Sequence, residues 1–219
     1  MFRQFLFFVA FVILGVSAFG QTPRGEFYGQ RASLFEVLPV DSTQIVFLGN
    51  SLTNGCEWHE LLGMPNVVNR GINGDTFGGI DERLAPVVSG QPAKIFLLTG
   101  VNDVSHDLTA DSIASGIIAL VKRIRTESPR TRLYVQSLLP FNNSFGRYKL
   151  LAGKEQVVRD INAILQPQVE GLGATWINLY PLFADENENL KVEYTNDGLH
   201  LLGPAYLVWR DAVLPYVNE

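Results

Sequence analysis

Cysteine is nearly missing from this 219-residue chain: Cys56 stands alone. A single thiol cannot close a disulfide within the chain, so a buried hydrophobic core has to hold the fold. Charge is also scarce, at 18% of residues, and 22 acidic groups face 17 basic ones for a formal net charge of −5. No basic run occurs anywhere in the sequence. That argues against a nucleic-acid partner, because phosphate binding needs a basic face. With 47% hydrophobic residues, the composition also excludes a disordered tail or a coiled coil. Long apolar runs are missing too, with one exception from Phe5 to Val16. Its twelve residues fall short of the roughly 20 that a membrane-spanning helix needs.

That exception reads as a targeting segment. Arg3 gives it a positive start and Ala18-Phe19-Gly20 supplies small residues at the spacing of a cleavage site, so residues 1–20 are expected to be a signal peptide cut before Gln21. A retained membrane anchor is the other reading. Export to the periplasm or the medium is the expectation, without stable membrane insertion. Removing Arg3 with the segment leaves 16 basic and 22 acidic groups, a net charge of −6. Residues 21–219 then form one domain, with no internal repeat, linker or low-complexity stretch.

The patterning that is present alternates between strands and helices. Ile45 to Leu48 is a continuous apolar run of the kind a parallel strand shows when buried on both faces, and it stops at Gly49. Before it, residues 21–42 read as a polar, irregular arm. After it come a short helix over 57–62, a strand over 66–69, a strand over 94–99, a helix over 111–127 closed by Pro129, and a strand over 132–137. A polar loop with aromatics, 141–148, leads to a helix over 151–170, a strand over 174–178 and a terminal helix over 204–217. Strands of four to six residues alternating with helices predict β-α-β units and a three-layer α/β/α sandwich around a parallel sheet. The glycines at 71, 74, 78 and 79 do not fit a dinucleotide fingerprint, and no phosphate-loop lysine follows.

Chemistry collects at the ends of these strands, where ligands meet open α/β sheets. Ser51 follows the first strand. A serine hydroxyl needs a neighbouring base, and His200, one of only three histidines, can be that base. Asp197, three residues before it, can accept the second imidazole N–H across a tight turn. A tetrahedral intermediate further requires hydrogen-bond donors for its oxyanion. The side-chain amide of Asn102, the backbone N–H of Gly74 and the amide of Ser51 are candidates. Each position has an ordinary alternative as a turn or cap residue; their agreement at strand ends favours a site. Cys56 is either a nucleophilic thiol or a small buried hydrophobe. His59 and His106 lack partner motifs and read as surface or turn residues.

Four stretches together resemble the SGNH hydrolases, also called the GDSL esterase and lipase family. Gly49-Asn50-Ser51-Leu52-Thr53 is similar to the nucleophile block, residues 69–76 to the glycine block, Gly100-Val101-Asn102-Asp103 to the asparagine block, and Asp197-Gly198-Leu199-His200 to the Asp-x-x-His block. The resemblance implies a triad of Ser51, Asp197 and His200, and an oxyanion hole of Ser51, Gly74 and Asn102. It also implies a flavodoxin-like five-stranded sheet in the order 2-1-3-4-5, and ester hydrolysis without a metal or other cofactor. Asn50 stands where the family usually has an acid. The substrates it implies are small-molecule esters: acetylated sugars, lysophospholipids, short acyl esters or thioesters. An acidic, exported chain with no long apolar lid fits an acetyl group on a carbohydrate, with Phe141, Asn142, Asn143, Phe145, Arg147 and Tyr148 on the acceptor side, either as sugar contacts or as a solvated loop. A catalytically silent carbohydrate-binding domain is the alternative from another class.

Overall fold

The computed structural model describes residues 25–219. The expected signal peptide lies outside the described residues. The first helix, α1 (Glu26–Val37), leads into strand β1 (Ile45–Gly49), short helices α2 (Ser51–Asn54) and α3 (Trp58–Leu62), and strand β2 (Val67–Gly71). Helices α4 (Phe77–Glu82) and α5 (Ala85–Val88), strand β3 (Lys94–Leu98), helices α6 (Val101–Ser105) and α7 (Ala110–Glu127), and strand β4 (Arg132–Gln136) follow. Helix α8 (Glu155–Gly171), strand β5 (Thr175–Ile177), and helices α9 (Tyr180–Phe183) and α10 (Gly203–Asn218) complete the order.

The five strands are all parallel and lie in the order β2-β1-β3-β4-β5, as expected. Alternation along each strand divides the core. Val46, Leu48, Ile95, Leu97, Leu133 and Val135 face one layer with the apolar sides of α7 and α8. Ile45, Phe47, Phe96, Leu98 and Tyr134 face the other, with Trp58 of α3 and Trp209 of α10. This second face carries an aromatic ladder set by register, since Phe47 pairs with Phe96 and Phe96 with Tyr134. Ring centroids are 4.0 Å apart for Trp58 and Phe47, 4.8 Å for Phe47 and Phe96, and 4.6 Å for Phe96 and Tyr134, all stacked. Each such pair contributes about 0.5–1.5 kcal/mol beyond its buried area. The ladder thereby fixes the strand that delivers Ser51.

Two expectations need correction. The arm over 21–42 is not irregular, because residues 26–37 form α1. Its sequence has no apolar stripe to announce a helix, and only Phe35 is buried. Tertiary contacts hold it instead: the guanidinium groups of Arg31, Arg70 and Arg83 lie 4.8, 4.9 and 5.8 Å from the Phe35 ring, and Tyr28 donates to the Gly79 carbonyl at 2.8 Å. Helix α8 starts at Glu155 rather than Leu151. Leu151 belongs to a separate 3₁₀ turn, Lys149–Leu151, that drops its side chain into the core.

Lys94 is an unusual strand residue, only 6% exposed. Its ammonium donates to the carbonyls of Tyr216, Val217 and Glu219 at 2.7–2.8 Å, capping the C-terminal end of α10, where cations are favoured.

Candidate active site

Ser51 is placed by very close packing at the end of β1. A Cβ added at Gly49 would lie 2.3 Å from the Thr53 hydroxyl and 2.4 Å from the Leu98 carbonyl oxygen, so only glycine lets the chain turn there. Asn50 then caps α2, its side-chain oxygen accepting the Leu52 N–H at 3.0 Å. The residue that replaces the family's usual acid therefore still closes the turn, and its Nδ2 is buried without a partner among the described residues. Ser51 is the first helical residue, where the backbone N–H has no acceptor within the helix.

His200 reaches Ser51 from the other end of the chain. Its Nε2 lies 2.9 Å from Ser51 Oγ, and its Nδ1 lies 2.8 Å from Asp197 Oδ2. The 195–200 loop orients the carboxylate: Asp197 Oδ1 accepts the backbone N–H groups of Leu199 at 2.9 Å and His200 at 2.8 Å. Burial pushes the Asp197 carboxyl up, but the hydrogen bonds from the His200 ring, these two amides and the Tyr148 hydroxyl outweigh it and hold the group well below the usual carboxylate range. It is a carboxylate at neutral pH.

Gly74 and Asn102 line the same cleft as Ser51 and His200. Gly74 has φ 76°, which a side chain would strain. Asn102 donates one amide hydrogen to the Asp75 carbonyl at 2.7 Å, which ties the two candidate donor loops together and leaves its second hydrogen for another acceptor. Beneath them, Arg83 Nε pairs with Asp75 Oδ2 at 2.7 Å, and another guanidinium nitrogen of Arg83 donates to the Gly49 carbonyl at 3.0 Å. The pair is almost wholly buried. It joins the end of the nucleophile strand to the Gly74 loop. Asp103 is buried as well, and its Oδ2 accepts the Phe77 N–H at 3.3 Å. Burial pushes its carboxyl up to about 7.

The loop after β4 departs from expectation. Phe141 is 2% exposed and part of the core, so it lines no cleft. Asn142 is buried too. Its amide donates to the Leu190 carbonyl at 2.9 Å, its backbone N–H donates to the Gly198 carbonyl at 2.7 Å, and its side-chain oxygen accepts from Ser144. Its work is to pin the 195–200 loop. Asn143 bonds Leu151 and Glu155, and Phe145 is exposed outside the cleft lining. Arg147 and Tyr148 do line the cleft, but the Tyr148 hydroxyl is turned to Asp197 Oδ2 at 2.8 Å. Reading the loop by composition found polar and aromatic residues without finding which way they face.

Arg83, Asp75 and the Tyr148 hydroxyl were missed by sequence reasoning. Asp75 lies inside the glycine-rich stretch, whereas Arg83 has no local motif to mark it. Cys56 is 7% exposed in the second core layer, and burial followed by repulsion from Glu57 pushes its thiol up to about 12. It is the small hydrophobe rather than the nucleophile. The cleft itself has a volume of about 500 Å³ and is further bounded by Asn73, Ser105 and the 149–151 turn.

A parallel three-layer sandwich with a serine, histidine and aspartate in hydrogen-bonded series at its strand ends defines a serine-hydrolase-like architecture. A sequence model described as the GDSL-like lipase/acylhydrolase family matches residues 47–206, and the chain belongs to that family. Among curated relatives, the platelet-activating factor acetylhydrolase IB subunit alpha2 of Rattus norvegicus is 32% identical over 102 residues, 44% of this chain and 44% of that protein. The match thus spans less than half the length of that relative. Its Gallus gallus counterpart is 26% identical over 169 residues, 74% of this chain and 70% of that protein. Among solved structures, a GDSL-like lipase from Bacteroides thetaiotaomicron superposes with a TM-score of 0.76 at 22% identity, covering 87% of this chain and 97% of that one. That likeness concerns the fold.

Proposed function

We propose that the chain is a carboxylic ester hydrolase that transfers a short acyl group, acetyl above all, from a polar alcohol to Ser51 and then to water. One observation carries the reading: Ser51 Oγ is 2.9 Å from His200 Nε2, while Nδ1 of the same ring is held by Asp197. His200 accepts the serine proton as Oγ attacks the ester carbonyl, and the imidazolium that forms is stabilised by the carboxylate. The oxyanion is received by the amides of Ser51 and Gly74 and the free hydrogen of Asn102. The ester C–O bond breaks as His200 returns the proton to the departing alcohol. Water repeats the sequence on the acyl-serine.

The acetyl preference draws support from the sequence relatives named acetylhydrolases. A carbohydrate acceptor fits a cleft lined by Asn73, Ser105, Arg147 and Lys149, although Tyr148 is its only phenol or phenyl wall among the described residues. Leu150, 64% exposed on the same rim, favours a second reading in which an acyl chain of a lysophospholipid lies there. Export belongs to the proposal on the strength of the apolar stretch over 5–16.

Hydrolysis of p-nitrophenyl acetate, butyrate and octanoate by the mature chain and by Ser51→Ala tests the chemistry. Turnover of the short esters that vanishes in the variant supports it. Equal turnover by both proteins, or none by folded wild type, removes Ser51 catalysis and brings the silent binding domain forward. Acetate release from acetylated sugars, set against fatty-acid release from lysophospholipids, then decides the acceptor.

A further inference from the structure

We infer that Tyr148 is a positioning residue of the proposed triad, holding Asp197 and fixing the His200 tautomer from the loop that also walls the cleft. The inference rests on the esterase reading. Its basis is a three-way contact: the Tyr148 hydroxyl is 2.8 Å from Asp197 Oδ2 and 2.9 Å from His200 Nδ1, while Nδ1 is itself 2.8 Å from the same Oδ2.

The hydroxyl has one proton to give. With Asp197 ionised, the charge-assisted bond to Oδ2 is the stronger use of it, which leaves the phenol's lone pairs facing Nδ1. Both oxygens around Nδ1 then accept, so Nδ1 carries the imidazole proton and Nε2 is left basic toward Ser51. In the other tautomer Nδ1 is an acceptor. It gives nothing to Asp197 and competes with Oδ2 for the phenol proton, so Oδ2 keeps at most one of its two side-chain donors. Tyr148 therefore biases the ring toward the form that can take the serine proton.

The phenol is well placed to do this because its ring does not move freely. It packs against the core and meets the His200 ring edge-on, centroids 5.6 Å apart. Phe141 anchors one end of the loop in the core and Leu151 the other, while Asn142 joins it to Gly198 beside the triad. The charged and titratable groups about the imidazole are Asp197 on its own loop and Tyr148 opposite, with Arg147 beside the phenol and Lys149 on the same cleft wall. Burial and the Asp197 charge both keep the phenol protonated, outweighing Arg147, so it remains a donor through neutral pH.

Tyr148→Phe keeps the ring and removes only the hydroxyl. The expected result on p-nitrophenyl acetate is a fall in kcat of about tenfold, the scale of one hydrogen bond to a charged group, with KM within about twofold. In an Asp197→Asn background the same change costs little more, since the two residues act as one unit. A spectroscopic readout stands apart from turnover: in protein carrying isotope-labelled histidine, the His200 Nδ1–H resonance shifts on Tyr148→Phe. A variant with raised KM and unchanged kcat makes Tyr148 a substrate wall and overturns the inference, as does an unmoved Nδ1–H resonance. A wild type without Ser51-dependent turnover sinks the esterase reading alone, and the resonance still decides on Tyr148.

Discussion

Arg83→Met separates the support of the candidate site from the site itself. The Arg83 side chain is 5% exposed and that of Asp75 is 0% exposed, with Nε and Oδ2 2.7 Å apart. Methionine refills much of the aliphatic volume but takes the Arg83 guanidinium away from the buried Asp75 carboxylate and strips the Gly49 carbonyl of the Arg83 donor at 3.0 Å. Removing one partner of a buried pair costs about 3–5 kcal/mol, because the remaining charge stays desolvated. For a domain of this size that is a melting-temperature drop of roughly 6–20 °C. Thermal unfolding followed by circular dichroism measures it. Well below the transition, kcat should also fall by about tenfold or more, because the Gly74 amide and the Asp75 carbonyl that holds Asn102 ride on the loosened loop. The double variant Asp75→Asn/Arg83→Met carries neither charge of the pair and should recover part of the stability. A drop below about 3 °C in the single variant, or a double variant no better than the single, would refute the reasoning.

Other perturbations reach different parts of the molecule. Asn102→Ala should lower kcat by about 10²–10³ with KM little changed, since a lost oxyanion donor acts in the transition state; turnover within a few-fold of wild type on p-nitrophenyl acetate would remove Asn102 from that role. Asp103 is raised in the folded state to about 7 from 3.8, so the native form binds its proton more tightly than the unfolded chain does and the stability this contributes is complete below about pH 4 and lost as pH rises to 7. Urea unfolding should therefore show Asp103→Asn gaining on wild type by roughly 2 kcal/mol between pH 5 and pH 8, and a constant difference would contradict the account. Cys56 in the folded protein should react with a thiol reagent at pH 8 far more slowly than in urea, and equal rates would argue against its burial.

The sheet was legible because its central strands are buried on both faces. Ile45 to Leu48 and Ile95 to Leu98 leave no polar position to confuse the reading, and the apolar face of α7 repeats with helical spacing. Helix α1 was illegible for the opposite reason. Nothing in its own pattern favours a helix, and the guanidinium groups that hold Phe35 come partly from residues 70 and 83. The same division runs through the site. Residues expected to react with substrate stand next to glycines and turn residues in short blocks, whereas Arg83, which supports them, has no such block. Arg83 acts on a carbonyl 34 residues away and Tyr148 on a carboxylate 49 residues away, distances over which no local pattern survives.

The loop after β4 carries the further consequence. Its aromatics and amides suggested sugar contacts, yet Phe141 and Asn142 face inward and the Tyr148 hydroxyl serves Asp197. Selectivity for the alcohol then falls to exposed side chains on the rim, Asn73, Arg147, Lys149 and Leu150. Two of these are flexible cations, one is a short amide, and Leu150 is a single leucine, which offers little grip on a long acyl chain. Under the proposed esterase reading, binding energy at such a rim is small, and the reacting end of the ester is left to the wall of Ser51, Gly74, Asn102 and His200. A site built this way discriminates through the acyl group more than through the alcohol. Varying the alcohol at constant acetyl should therefore change kcat/KM less than lengthening the acyl chain at constant alcohol, and a reversed order in that two-way series would place recognition back on the loop.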